Sequence, residues 1–245
     1  MCALLLQGQF GGQEATQRAH PRCRLHIFTS RGRGPLLHLG APWATPLVYA
    51  AAFASDLVRR RALGGWLQRV VFSDPRDALP LALGDFATQP VALAADNLAP
   101  AILDSGSIPF VLQPVHPIAG APRGAYWDGG STDYHLHLPC AGMADGLVLY
   151  PHLQRALVPG WLDKGLKRRH GATGFLDNVV VMARHPDGVR RLPCGKLPDR
   201  QDFKAWRHEP AGRIAAWTQA IAAAGQMADE AAAWLAQAVI DALPL

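Results

Sequence analysis

The stretch "AYWDGGSTDY", residues 125–134, decides how this chain is read. It closes a short aromatic run on an acid followed by two glycines. Two physical explanations compete for it. In the first, the Asp128 side chain caps a turn and Gly129 and Gly130 supply positive φ, the common reason for Asp-Gly pairs in loops. In the second, the glycines let the backbone bend so that the carboxylate stands at the C-terminal edge of a sheet, where open α/β folds place their ligands.

Working outward, four short apolar runs read as strands: "RLHIFT" (24–29), "PVALAA" (90–95), "GLVLYP" (146–151) and "NVVVM" (178–182). Most are continuous instead of alternating, which suits strands buried on both faces, as in a parallel sheet covered by helices. Helical patterns separate them. Residues 46–71 carry apolar positions at helical spacing with Pro46 suited to the first turn, and "LAPAILDSG" (98–106) reads as a short helix stopped by Gly106. The expectation is a layered α/β fold with a mostly parallel sheet, its core lying over residues 24–182 of a single 245-residue domain.

The flanks behave differently. Residues 1–23 read as a loop or linker. Over 211–243, Ile214, Trp217, Ile221, Ala224, Ala228, Ala231, Leu235 and Val239 recur every three or four positions, as in an amphipathic helix, or two meeting near Gly225, packed on the body of the protein. Residues 185–203, rich in Pro, Gly and Asp, read as a surface loop.

Composition narrows the function classes. Of 245 residues 49% are hydrophobic and 18% charged, enough for one sizeable core. Lys and Arg outnumber Asp and Glu by 24 to 19, but the excess is spread along the chain apart from "DKGLKRRH" (163–170). Nothing resembles the basic stripe with interleaved aromatics that a nucleic-acid partner needs, so none is expected. The small cluster suits a solvated surface or contact with anionic lipid headgroups. Cys2, Cys23, Cys140 and Cys194 form no CxxC pair, which argues for reduced thiols in the cytoplasm, not a disulfide framework or zinc site. No run of about 18 apolar residues occurs, so membrane contact, if any, is expected to be peripheral. His135 and His137 alternate and could point one way from a strand as pocket lining. No third ligand type sits at a recognised metal spacing, so no metal and no organic cofactor is expected.

"ILDSGSIPFVLQPV" (102–115) followed by "AYWDGG" (125–130) resembles the second half of the patatin-like phospholipases. Their pattern is a small-residue helix end, an Ile-Pro turn, an apolar segment ending in Pro-Val, and a strand closing on Asp-Gly-Gly. The resemblance covers roughly residues 24–151. It implies a layered αβα sheet and makes Asp128 the carboxylate of a Ser-Asp dyad, with Gly129 and Gly130 shaping its turn. The implied substrate is a phospholipid or other lipid ester.

The chain departs from that pattern in its nucleophile. A serine hydroxyl attacks only when a base takes its proton and backbone N–H groups hold the oxyanion. The family's serine lies in G-x-S-x-G upstream of the acid, and this chain contains no G-x-S-x-G. "GGSTD" (129–133) lacks the closing Gly and follows the acid, and "FGGQEATQR" (10–18) leads to no nucleophile segment. The expectation is therefore a fold incomplete at its N-terminus, with the elbow and oxyanion loop encoded upstream of Met1, and no ester hydrolysis by the chain alone. The alternative is a non-catalytic relative that binds lipid or protein. Substrate preference and oligomeric state are not legible.

Overall fold

The structure is a computed structural model that describes residues 21, 23–38, 44–114, 117–143 and 146–237. The loop expected at residues 1–23 and the last residues of the expected C-terminal helix lie almost wholly outside these. The chain divides into two compact units, Met1–Asp145 with Leu157–Asp177, and Gly146–Ala156 with Asn178–Leu245. Two units stand where one domain was expected.

The first unit is built on a four-stranded sheet: β1 (His26–Gly32), β2 (Leu67–Ser73), β3 (Thr88–Ala92) and β4 (Tyr126–Asp128), in the order β3-β2-β1-β4. β2 and β3 run parallel, with Val70 opposite Gln89. β1 lies antiparallel to both neighbours, with Thr29 opposite Val70 on one side and Asp128 on the other. Three strands therefore share one direction and β1 alone opposes them. The fold is mixed α/β.

Two helices accompany the sheet. α1 (Ala44–Val58) has Pro46 in its first turn, where a missing N–H is tolerated. α2 (Ala95–Ser105) begins three residues before its expected start, with Asn97 Oδ1 accepting the N–H of Ala94 at 2.8 Å, and stops at Gly106. Val70, Phe72, Val91, Leu98, Ala101 and Tyr126 form one core cluster. Leu67, of opposite parity to Val70 and Phe72 on β2, joins Leu36, Tyr49, Ala52, Leu63 and Phe86 in another.

The helix expected over 46–71 ends at Val58. After a 3-10 turn (Arg60–Gly65), "LQRVVFS" is the strand β2 instead. Its β-branched and aromatic residues bury well on a pleated surface, and Gly64 and Gly65 separate it from the helical pattern.

In the second unit β5 (Val148–His152) and β6 (Val179–Ala183) pair in parallel as a separate two-stranded sheet. They do not extend the four-stranded one as expected. Within the segment expected as a plain loop, residues 186–190 form a short helix, α3 (Pro186–Arg190), and α4 (Asp202–Ala205) follows. α5 (Pro210–Gln237) continues through Gly225, where a side chain would meet nothing.

The face of α5 that packs coincides with the expected stripe only in part, at Trp217 and Ala231. Ile214, Ile221, Ala224 and Ala228 are exposed, while Ala216, Trp217, Ala220, Ala223 and Met227 are the more buried. Specific partners set this rotation. Asp202 accepts Trp217 Nε1–H at 2.9 Å, Arg184 Nη1–H bonds the carbonyl of Ala223 at 2.7 Å, and the Arg213 guanidinium lies 4.2 Å from the Phe203 ring centre.

Candidate functional site

Asp128 ends β4, half-buried, with its own N–H donated to Ser107 O at 3.0 Å. The chain then enters a single helical turn, Gly130–Asp133. Gly129 lies in ordinary right-handed helical backbone with φ −55°, so positive φ is not what either glycine supplies. Close approach is: a β-carbon on Gly129 would stand 2.2 Å from the carbonyl oxygen of Phe28 on β1. Parts of both explanations hold: the Asp128 side chain caps the turn through Gly130 N–H, and the close approach at Gly129, not positive φ, is what its missing side chain allows.

Gly130 N–H donates to Asp128 Oδ1 at 2.7 Å, and Oδ2 accepts no hydrogen bond from a described residue. Burial pushes this carboxyl above the usual range, while the Gly130 bond and the charge of Lys164 hold it down. A half-buried carboxylate with raised proton affinity and one open oxygen is chemically a base.

Behind it lies a second acid. Asp104, on α2, is wholly buried, and neither carboxyl oxygen meets a partner among the described residues. Burial first, and the charge of Asp128 second, push it up to about 9, so it stays protonated at neutral pH. A carboxylic acid kept neutral by an apolar setting is a hydrogen-bond donor.

Tyr49 on α1 completes the group. Burial drives its phenol well up, and Asp104 and Asp128 add to this, while the nearby Ser131 hydroxyl opposes it. The Tyr49 and Ser131 hydroxyls lie close but fall short of full hydrogen-bond geometry, and both are buried. Ser131 is thus too enclosed to serve as a nucleophile in this arrangement.

Around Tyr49 the rings of Phe110, Trp127 and Trp161 stand at 5.1, 6.2 and 6.4 Å, the first half exposed and held at φ +70°. Lys164 Nζ lies 4.1 Å from the Tyr134 ring centre and 5.9 Å from that of Trp161. The site is an acid pair bordered by an aromatic wall and one cation.

The rest of "DGGSTDY" is anchorage. Arg69 is fully buried on β2 and gives two hydrogen bonds to Asp133, of 2.7 and 2.6 Å, and two to Asp85. Burial alone would lower this guanidinium, but those bonds outweigh it and raise it. Thr132 Oγ1 donates to Asp133 at 2.9 Å and meets Ser30 Oγ at 3.0 Å. Arg60 spans from the carbonyl of Thr132 at 2.6 Å to Asp163 at 2.9 Å. Asp163 belongs to the 3-10 turn Trp161–Gly165, so this bridge fixes the turn that carries Lys164.

His135 and His137 do not alternate along a strand. Leu136 between them has φ +44°, and the rings go to different partners. His135 Nδ1 accepts the N–H of Val158 at 2.9 Å, and His137 Nε2 meets Thr173 Oγ1 at 2.9 Å. Burial, with the charge of Arg60, lowers His137. The His135 ring stacks on Tyr134, with ring centres 4.2 Å apart, and the His137 ring stands edge-on to Phe175 at 6.3 Å. Among the described residues no three His, Cys, Asp or Glu side chains are placed to hold a metal ion.

Asp104, Tyr49, Trp161 and Lys164 were not singled out from the sequence. Asp104 left a signal: Asn97, Ala101 and Asp104 share one helical face, which puts an acid on the buried side of "ADNLAPAILDS".

The chain matches no protein-family model, no curated protein and no solved structure.

Proposed function

We propose that this chain is the acid-bearing part of a patatin-type lipid acyl hydrolase, with Asp128 as the base of a Ser-Asp dyad. The observation that supports it is the setting of Asp128: at a strand end, half-buried, one oxygen held by Gly130 and the other open. In the reaction Asp128 takes the proton of a serine hydroxyl as that oxygen attacks an ester carbonyl. The alkoxide leaves with a proton, an acyl-enzyme forms, and water activated by the same carboxylate releases the fatty acid. The αβα layering of that family belongs to the same proposal.

The sequence supplies no G-x-S-x-G, which favours a second reading in which the scaffold binds lipid or protein without turnover. Removing the nucleophile of a serine hydrolase lowers turnover on the order of 10⁶-fold. The chain of 245 residues should therefore leave p-nitrophenyl butyrate at the background rate. Extended by any in-frame upstream segment that carries G-x-S-x-G, it should hydrolyse the ester and lose this with Asp128→Asn. Hydrolysis that survives Asp128→Asn would remove the dyad, and absence of such a segment would favour the binding reading.

A further inference from the structure

We propose that the C-terminal end of α1 and the basic turn Lys167–Arg169 form a docking surface for an anionic lipid bilayer. The inference goes beyond the hydrolase reading and stands without it. Two observations meet at one place.

The first is apolar. α1 ends on Leu57 and Val58, both exposed, Val58 at 87%. Phe53, one turn before Leu57, is also exposed. An aliphatic side chain left almost entirely in water at a helix end has no packing reason on its own helix. A single such residue is ordinary; here Phe53 and Leu57, exposed at 37% and 38%, stand one turn apart and Val58 follows at the helix end.

The second is electrostatic. Arg169 Nη2–H donates to the carbonyl of Asp56 at 2.7 Å and Nη1–H to its carboxylate at 3.0 Å; Arg168 reaches the carbonyl of Leu57 at 3.4 Å. These bonds seat the turn Lys167–Arg169 against the end of α1. The two carboxylates of this region, Asp56 and Asp163, are buried and taken up by Arg169 and Arg60. Arg59, Arg61, Lys167 and Arg168 are exposed and meet no carboxylate among the described residues. The surface therefore presents uncompensated positive charge around an apolar tip.

That combination fits a membrane better than a nucleic acid. Cations draw the face to phosphate headgroups while Val58, Leu57 and Phe53 enter the acyl boundary, and each contribution is reversible alone. A phosphate-binding groove would place aromatic or polar groups among the cations, not an aliphatic tip. The placement also has a geometric consequence. The continuous segment 161–169 carries Lys164 beside Asp128 at one end and Arg168 beside Leu57 at the other, so a bilayer bound here lies one short segment from the candidate site.

Flotation with vesicles tests this on the full chain without any turnover, so it succeeds or fails apart from the hydrolase reading. With vesicles of phosphatidylcholine and phosphatidylglycerol at low salt the protein should float, and it should not with phosphatidylcholine alone. Raising the salt should release it. Lys167→Gln with Arg168→Gln should weaken binding roughly thirtyfold, on the scale of about fivefold per basic residue. Val58→Asp should weaken it as well. Arg59→Gln with Arg61→Gln provides an independent pair, and circular dichroism checks that each variant is folded. Failure of the wild-type chain to float, equal binding to neutral vesicles, folded variants that bind like wild type, or binding of RNA but not vesicles would each overturn the proposal.

Discussion

Gly129 crosses the backbone of Phe28 so closely that a β-carbon would stand 2.2 Å from its carbonyl oxygen and 2.7 Å from its carbonyl carbon. β1 and β4 are held together at that point by Thr29 facing Asp128. The chain can leave β4 in this direction only because residue 129 has no side chain.

Gly129→Ala should therefore destabilise the protein by about 3 kcal/mol or displace the Asp128 carboxylate, because neither backbone can yield without breaking strand pairing. Gly130→Ala should cost less, about 1 kcal/mol, since its β-carbon would meet the tips of Asp128 and Tyr134 side chains at 3.0 and 3.2 Å. Urea denaturation of both variants measures the difference, and equal costs would show that the Phe28 contact does not govern this turn.

Arg69→Met should be among the most destabilising single changes in the first unit, by about 3–5 kcal/mol, because it strands Asp133 and Asp85 without their cation. Arg69→Met combined with Asp133→Leu should recover part of that loss, since a buried pair replaced on both sides leaves fewer stranded charges. Denaturant midpoints of the two variants decide it; a double variant less stable than the single one by the full cost of another core change would refute the coupling.

The sequence made the strands β1, β3, β5 and β6 legible, because short apolar runs such as "LHIF" and "VVVM" announce strands whatever their partners, although β5 and β6 are only partly buried. It did not reveal who pairs with whom. The antiparallel placement of β1 between β2 and β4 depends on contacts across dozens of residues, such as His26 with Ser73. β2 was hidden because Val70 and Val71 extend the helical spacing of the preceding segment. At the site, Asp128 stood out through its glycines. Tyr49, Trp161 and Lys164 did not, because core packing places Tyr49 and the long-range bridge from Arg60 to Asp163 holds the turn of Trp161 and Lys164, and local spacing carries no trace of either. On α5 the stripe held at Trp217, which bonds Asp202, and misled at Ile214 and Ile221, because the small residues Ala216, Ala220 and Ala223 are the ones turned inward beside it.

Asp104 ties stability to pH. Unfolded, its carboxyl titrates near the ordinary value of about 3.9. Folded, it is pushed up to about 9. The native state thus holds a proton that the unfolded state has released across this window, so this group's contribution is full below about pH 4 and is lost as pH rises toward about 9. Melting temperature should fall over that range, and Asp104→Asn, which cannot ionise, should flatten the slope and melt above wild type at pH 8. An unchanged slope in the variant would show that Asp104 is not the proton holder.

Asp128→Asn separates a base from a turn cap. If the side chain only capped the turn, asparagine would keep the 2.7 Å bond from Gly130 N–H and change little at any pH. Burial instead raises the proton affinity of Asp128, and the Gly130 bond and Lys164 offset this only in part, so its ionised form weakens the fold. The sign follows: the folded carboxyl lies above its unfolded value, and its contribution to stability falls as pH rises through the folded value. At pH 7 Asp128→Asn should therefore melt higher than wild type. Near pH 3, where both side chains are neutral, the two should melt together. A variant that melts with wild type at every pH would make Asp128 a structural cap and take away the proton acceptor on which the acyl-hydrolase reading depends.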